Sequence, residues 1–174
     1  MKKLSLVIAA SALLFGHSAF AKDGVESIFA DEQLSVGQQY SQAADYCAND
    51  AYPNEFNCAQ ALSKRAEAQL AMAVRKYEQV AMLVSNEENS KCSADADVEG
   101  SPQCNGADIV TDLMESQRAW ELYRSHHCSL EARNSLGGWG ASANYWLCNA
   151  RLIGNRLRNL QAIFRFYETQ FEVQ

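Results

Sequence analysis

Six cysteines, and the His126-His127 pair that abuts one of them, are the side chains whose type and spacing could do chemistry here. Cys47, Cys58, Cys92, Cys104, Cys128 and Cys148 are too scattered for a zinc site, which draws on close pairs such as Cys-x2-Cys. His126 and His127 would point about 100° apart on a helix, so they cannot converge with Cys128 on one ion. The sequence therefore gives no reason to expect a metal or other cofactor. An even cysteine count in an exported chain reads instead as disulfides. Six cysteines allow 15 pairings. Pairing of nearest neighbours, 47–58, 92–104 and 128–148, is expected because each bond closes a short loop at a helix end or in a connector. Backbones approach closely enough there for the bond geometry. Thiols held in this way are not available as thiolate nucleophiles.

Other catalytic arrangements find no support. The chain contains no Gly-x-Ser-x-Gly elbow, no His-Glu-x-x-His and no phosphate-cradling glycine loop. Glu115 and Glu121 could be chosen as a carboxylate pair, but any acidic helical protein offers many such pairs. The sequence reads as a non-enzyme.

Export follows from the first 21 residues. Lys2-Lys3, an apolar run from Leu4 to Phe15, and Ala19-Phe20-Ala21 have the layout of a cleaved secretory signal. Its removal leaves 153 of the 174 residues, enough for one domain with a core. Loss of Lys2 and Lys3 moves the net charge from −6 to −8. Such an acidic chain would be repelled by nucleic-acid phosphates. No later apolar run approaches the roughly 20 residues of a membrane span, so no membrane anchor is expected.

The elements that must position these residues are helices. Two prolines, Pro53 and Pro102, mark breaks, and strand-like alternation is absent. A first helix is predicted over about 31–46, with Leu34, Val36, Tyr40 and Ala44 inward. Asn54 can cap a second, over about 55–85. Its apolar residues Ala59, Leu62, Ala66, Leu70, Ala73, Tyr77, Val80 and Val84 step by three or four, a narrow bundle-type seam. A polar, acidic insert over about 86–107 then forms a loop closed by Cys92–Cys104. A third helix, about 108–132, places Trp120, Tyr123 and His127 on one face with Ile109, Leu113 and Ser116, so Trp120 and Tyr123 read as core aromatics. After a turn at Gly137-Gly138, where positive φ is accessible, a fourth helix runs over about 141–171. It directs Ala143, Leu147, Ala150, Ile153, Leu157, Leu160, Phe164 and Tyr167 inward. The predicted fold is a single all-α domain, residues 22–174: an elongated antiparallel bundle of helical hairpins stapled by disulfides.

One pattern goes further. Gln-Arg-x-Trp-x-x-Tyr-Arg-x3-Cys from Gln117 to Cys128, the Gly-Gly turn, and Cys-x7-Arg-x3-Leu through Cys148, Arg156 and Leu160 resemble the periplasmic lysozyme-inhibitor LprI-like family. The similarity reaches more weakly back through Cys47-x10-Cys58, Ala59, Leu62 and the Ala66–Leu70 run. Ile153 departs from it, standing where the family usually carries threonine. No cysteine follows the signal, so the lipid anchor of some relatives is missing. Arg118, Arg124 and Arg156 are the polar residues the pattern singles out. Arginine's planar fork suits an inter-helix carboxylate or a helix-end carbonyl, so all three are expected to tie helices together.

The resemblance implies a periplasmic protein that inhibits a lysozyme-like or other cell-wall hydrolase, or confers immunity to such a toxin. An acidic chain would steer toward a basic enzyme. The partner contacts are expected from Asp95, Asp97 and Glu99 in the stapled insert, or from Trp139 at the glycine turn as a lone exposed hot spot. The other class of reading is an accessory helical module with no inhibitory activity.

Overall fold

The computed structural model describes residues 22–49, 51, 54–94, 109–134 and 138–171. They form five helices: α1 (Lys22–Phe29), α2 (Val36–Asn49), α3 (Glu55–Ala94), α4 (Ile109–Arg133) and α5 (Gly138–Phe171). No strand occurs among the described residues. None of these helices is long and apolar enough to cross a membrane.

The first predicted helix starts later than expected, at Val36, and is preceded by a short helix, α1, that was not expected from the sequence; local capping explains the break between them. Asp31 Oδ1 accepts the Gln33 amide at 2.9 Å, turning the chain after α1. Ser35 Oγ then accepts the Gln38 amide at 3.4 Å, while Gln38 Oε1 accepts the Ser35 amide at 2.9 Å. This reciprocal capping box starts α2 at Val36. Leu34 consequently lies before the helix, half-buried, while Tyr40 and Ala44 are in the core.

The second helix overruns its predicted end at Ser85 and continues to Ala94. Polar composition alone does not stop a helix, and residues 86–94 contain neither glycine nor proline. Residues 86–94, expected to belong to the insert, are therefore helical. Asp95, Asp97, Glu99 and Cys104 lie outside the described residues. So does the side chain of Cys92, and with it the 92–104 pairing. At the other connection α5 starts at Gly138, three residues early, so Gly138 belongs to the helix rather than the turn, and Gly137 lies outside the described residues.

Both remaining disulfides join nearest neighbours, Cys47–Cys58 and Cys128–Cys148. The first clamps α2 antiparallel to α3, the second α4 antiparallel to α5. Tyr40 ties the α2 flank to both long helices. Its hydroxyl donates to Gln69 Oε1 at 2.8 Å, and its Cβ lies against Gly154 of α5. Higher up, Tyr77 stacks on Phe164 at 4.8 Å between ring centroids. These contacts make α3 and α5 a parallel central pair, flanked by α2 and α4. Among the described residues α2 and α4 do not meet.

The two predicted seams fill the core. On α3 every seam residue is buried except Ala73, which is half-buried; on α5 the same holds apart from Ala143 and Tyr167. Third-helix packing differs from expectation. Leu113, Gln117 and Cys128 are buried there, whereas Ser116 is exposed and Tyr123 is 52% exposed. Cys128 must face Cys148, and counting back in steps of three or four from it leads through Arg124, Trp120 and Gln117. Tyr123, five residues before Cys128, is carried about 140° off that face.

Candidate functional site

The polar residues of the α4 motif converge where α3, α4 and α5 meet. Arg156, only 9% exposed, rises from α5 into this junction. Its Nε donates to Gln117 Oε1 at 3.1 Å and its Nη2 to Ser116 Oγ at 2.8 Å. Gln117 in turn donates through Nε2 to Glu121 Oε1 at 3.0 Å. Trp120, half-buried beside this relay, has the Arg124 guanidinium 5.4 Å and the Arg156 guanidinium 5.8 Å from its ring centroid. Burial pulls the pKa of Arg156 below its ordinary value by penalising the charge. The two acceptors offset that penalty.

Arg124 reaches the opposite way, toward α3. Its Nη1 lies 3.6 Å from Glu67 Oε1, an ion pair too long to be a hydrogen bond. Nε and Nη1 are buried without a hydrogen-bond partner. Between the two helices runs an open groove of about 360 Å³, with Leu70, Ala71 and Val74 as its apolar floor and Glu67, Arg75, Gln117, Glu121 and Arg124 around it. Small residues on α3 make the groove, since Ala71 and Val74 leave space where α4 turns its polar edge. With acidic and basic groups both present, it can hydrogen-bond and pair with a polypeptide surface; it offers no nucleophile.

The sequence-selected residues are distributed unevenly around this junction. Arg156, Arg124 and Trp120 are brought together there. Arg118 is exposed on the far side of α4, with no hydrogen bond or ion pair among the described residues, so it is not an inter-helix tie. Tyr123 is not a core aromatic; it stacks on His127 at 5.2 Å on the helix surface. His127 Nε2 lies 3.1 Å from Glu131 Oε1, one turn on. Those two and Cys148 place ligand atoms within 4.8 Å of one another, but Cys148 is committed to its disulfide. Trp139 lies in the first turn of α5, its side chain outside the described residues.

Gln117 had no assigned role in the sequence. Its signal was available: it lies three residues before Trp120 and four before Glu121, on the face that leads to Cys128. Glu67, Ala71, Val74 and Arg75 carried no such signal, because they lie off the apolar seam of α3 and look like ordinary outward positions. Comparisons with protein-family models, curated proteins and solved structures gave no match to this chain.

Proposed function

We propose that this chain is a periplasmic binding protein that inhibits a peptidoglycan-cleaving enzyme, either as a lysozyme inhibitor or as an immunity protein against a cell-wall-degrading toxin. The observation that carries the reading is the motif running from Gln117 to Cys128 and from Cys148 to Leu160, which resembles the LprI-like lysozyme-inhibitor family. Gln117, Trp120, Arg124 and Arg156 of that motif share one junction beside a polar groove, which supports treating them as a unit. The two disulfides among the described residues fit an oxidising compartment. A rigid, stapled bundle would present a binding loop at small ordering cost. No catalytic role is assigned to any residue.

The contact residues we favour remain Asp95, Asp97 and Glu99, with Trp139 as the rival edge. A turbidity assay on peptidoglycan with purified protein tests the function. Inhibition of a muramidase is expected. Reversing Asp95, Asp97 and Glu99 to lysine should abolish it without changing helicity, as expected of charges in the polar insert that the sequence predicts, which would add little stability. Full activity in that triple variant, with complete loss in Trp139→Ala, would transfer the site to the glycine turn. Absence of inhibition across muramidases and wall-directed toxins at about micromolar concentration would leave the accessory-module reading, which the exposed apolar residues of α4 favour.

A further inference from the structure

Helix α4 carries a second apolar seam, and this one faces solvent. Ala119, Leu122, Tyr123 and Leu130, with His126 as the one polar ring among them, follow helical spacing and lie opposite the inward Gln117 and Cys128. All five are exposed, Leu122 by 61% and Leu130 by 62%. From Ala119 to Leu130 this face holds no aspartate, glutamate, lysine or arginine. The stack of Tyr123 on His127 holds the tyrosine ring along the helix instead of leaving it free in water. A helix that needs only one buried face gains nothing from a second apolar stripe unless something covers it.

The charges at the two ends indicate what that is. On the same face, exposed Asp112 and Glu115 precede the stripe, and exposed Arg133 follows it. We infer that the stripe binds a second copy of this chain, with the two α4 helices antiparallel about a two-fold axis between residues 122 and 123. That axis sets Leu122 against Tyr123 of the second copy, Ala119 against His126, and Asp112 against Arg133, each pair occurring twice as an isologous contact requires. The smallest residue of the stripe is thereby opposite a ring that needs room. Glu115 falls opposite Leu130, at the rim. A parallel pairing would instead set acid on acid and base on base. Other proteins could offer apolar surface, but the match of both ends about one midpoint is a property of this helix with itself.

A stripe of about three turns belongs to the small, transient class of interfaces, below about 1,200 Å² in total. Association in the micromolar-to-millimolar range is expected. Sedimentation equilibrium on the chain as exported, from Lys22 onward, at up to about 1 mM tests it. A reversible monomer–dimer equilibrium is expected. Leu122→Asp, which puts two like charges beside the axis, should weaken it at least ~10-fold with unchanged circular dichroism. Asp112→Arg and Arg133→Asp should each weaken it, and the double variant should recover it. A chain that is monomeric throughout, or a dimer indifferent to Leu122→Asp, overturns the proposal. So does a monomeric chain whose hydrolase inhibition is lost in Leu122→Asp, since that outcome assigns the face to the enzyme partner. The inference does not depend on the inhibitor reading, because self-association is measured without any hydrolase.

Discussion

Gly154 is the position where the approach of α2 to α5 is decided. A Cβ built there would lie 2.5 Å from Tyr40 Cβ and 3.1 Å from the tyrosine ring. The first of these atoms is fixed to the α2 backbone, so no rotamer change relieves the clash and the helix itself must shift. Gly154→Ala is therefore expected to destabilise by about 1–3 kcal/mol, despite alanine's better helix propensity. A urea midpoint equal to or above that of the parent would show that α2 is not held where we describe it. Ser63 presents the reverse case. Its side chain is fully buried, and its hydroxyl has no hydrogen-bond partner. Ser63→Ala removes that unpaired dipole and is expected to leave stability unchanged or raise it by up to about 1 kcal/mol, measured in the same titration. Arg156 differs from Ser63 because every polar group it buries is met. Its removal would strand Gln117 Oε1 in the core, so Arg156→Met should be destabilising even though it keeps the aliphatic stem.

At the scale of the helix, α4 is held by features at two different heights. Near its C-terminal end Cys128–Cys148 closes a segment of 20 residues. Further up, Gln117 meets Arg156 of α5 and Arg124 meets Glu67 of α3. Loss of the bond lengthens the tether in the unfolded chain. Cys128→Ser is thus expected to lower stability by roughly 3 kcal/mol in the loop-entropy model. Because the upper contacts persist, the helix should remain formed while its lower end loosens. Tryptophan emission should then become more accessible to acrylamide, with far-ultraviolet circular dichroism little changed. Loss of helicity on the scale of a whole helix would mean that the disulfide, and not the α3–α4–α5 junction, holds α4 in place. The 40-residue α3 has the opposite problem, since its last turns extend beyond the part flanked by α2. At about 1.5 Å per residue it spans about 60 Å, long for a domain of this size.

The whole molecule should respond to alkali through two buried tyrosines. Burial, with the charge of Glu168 adding to it, pushes the Tyr77 hydroxyl from its ordinary 10 up to about 12. Tyr40 shifts in the same direction for the same main reason, with Arg65 opposing. A raised pKa in the folded state means that folding favours the neutral phenol. The contribution is fully present below pH 10, and it is lost as pH rises through about 12. Stability measured by urea titration should consequently fall over that interval. Tyr77→Phe, which has no hydroxyl to titrate, should fall less steeply. Identical pH profiles for the two proteins would show that the ring is not buried against Phe164 as described. The Tyr77–Phe164 stack joins the two parallel helices, so this readout reports on the central pair rather than on either flank.

Local information fixed much of this molecule in advance. The seams on α3 and α5 were legible because apolar residues at three- and four-residue steps must be hidden together, whatever hides them. The 47–58 and 128–148 pairings were legible because short loops at helix ends bring cysteines within reach. The capping box at Ser35 was also present in the sequence, three residues before Gln38, and it explains why α1 and α2 are separate. The rotation of α4 was not legible. Its inward and outward stripes are both apolar enough to be a core face, and periodicity cannot choose between them. The choice was made by Cys148 and Arg156, distant in sequence, which draw Cys128 and Gln117 inward and leave Tyr123 outside. The groove beside Arg124 and the glycine contact at Tyr40 are likewise products of assembly. Each depends on how closely two helices approach, a distance set by side chains on both and encoded in neither alone.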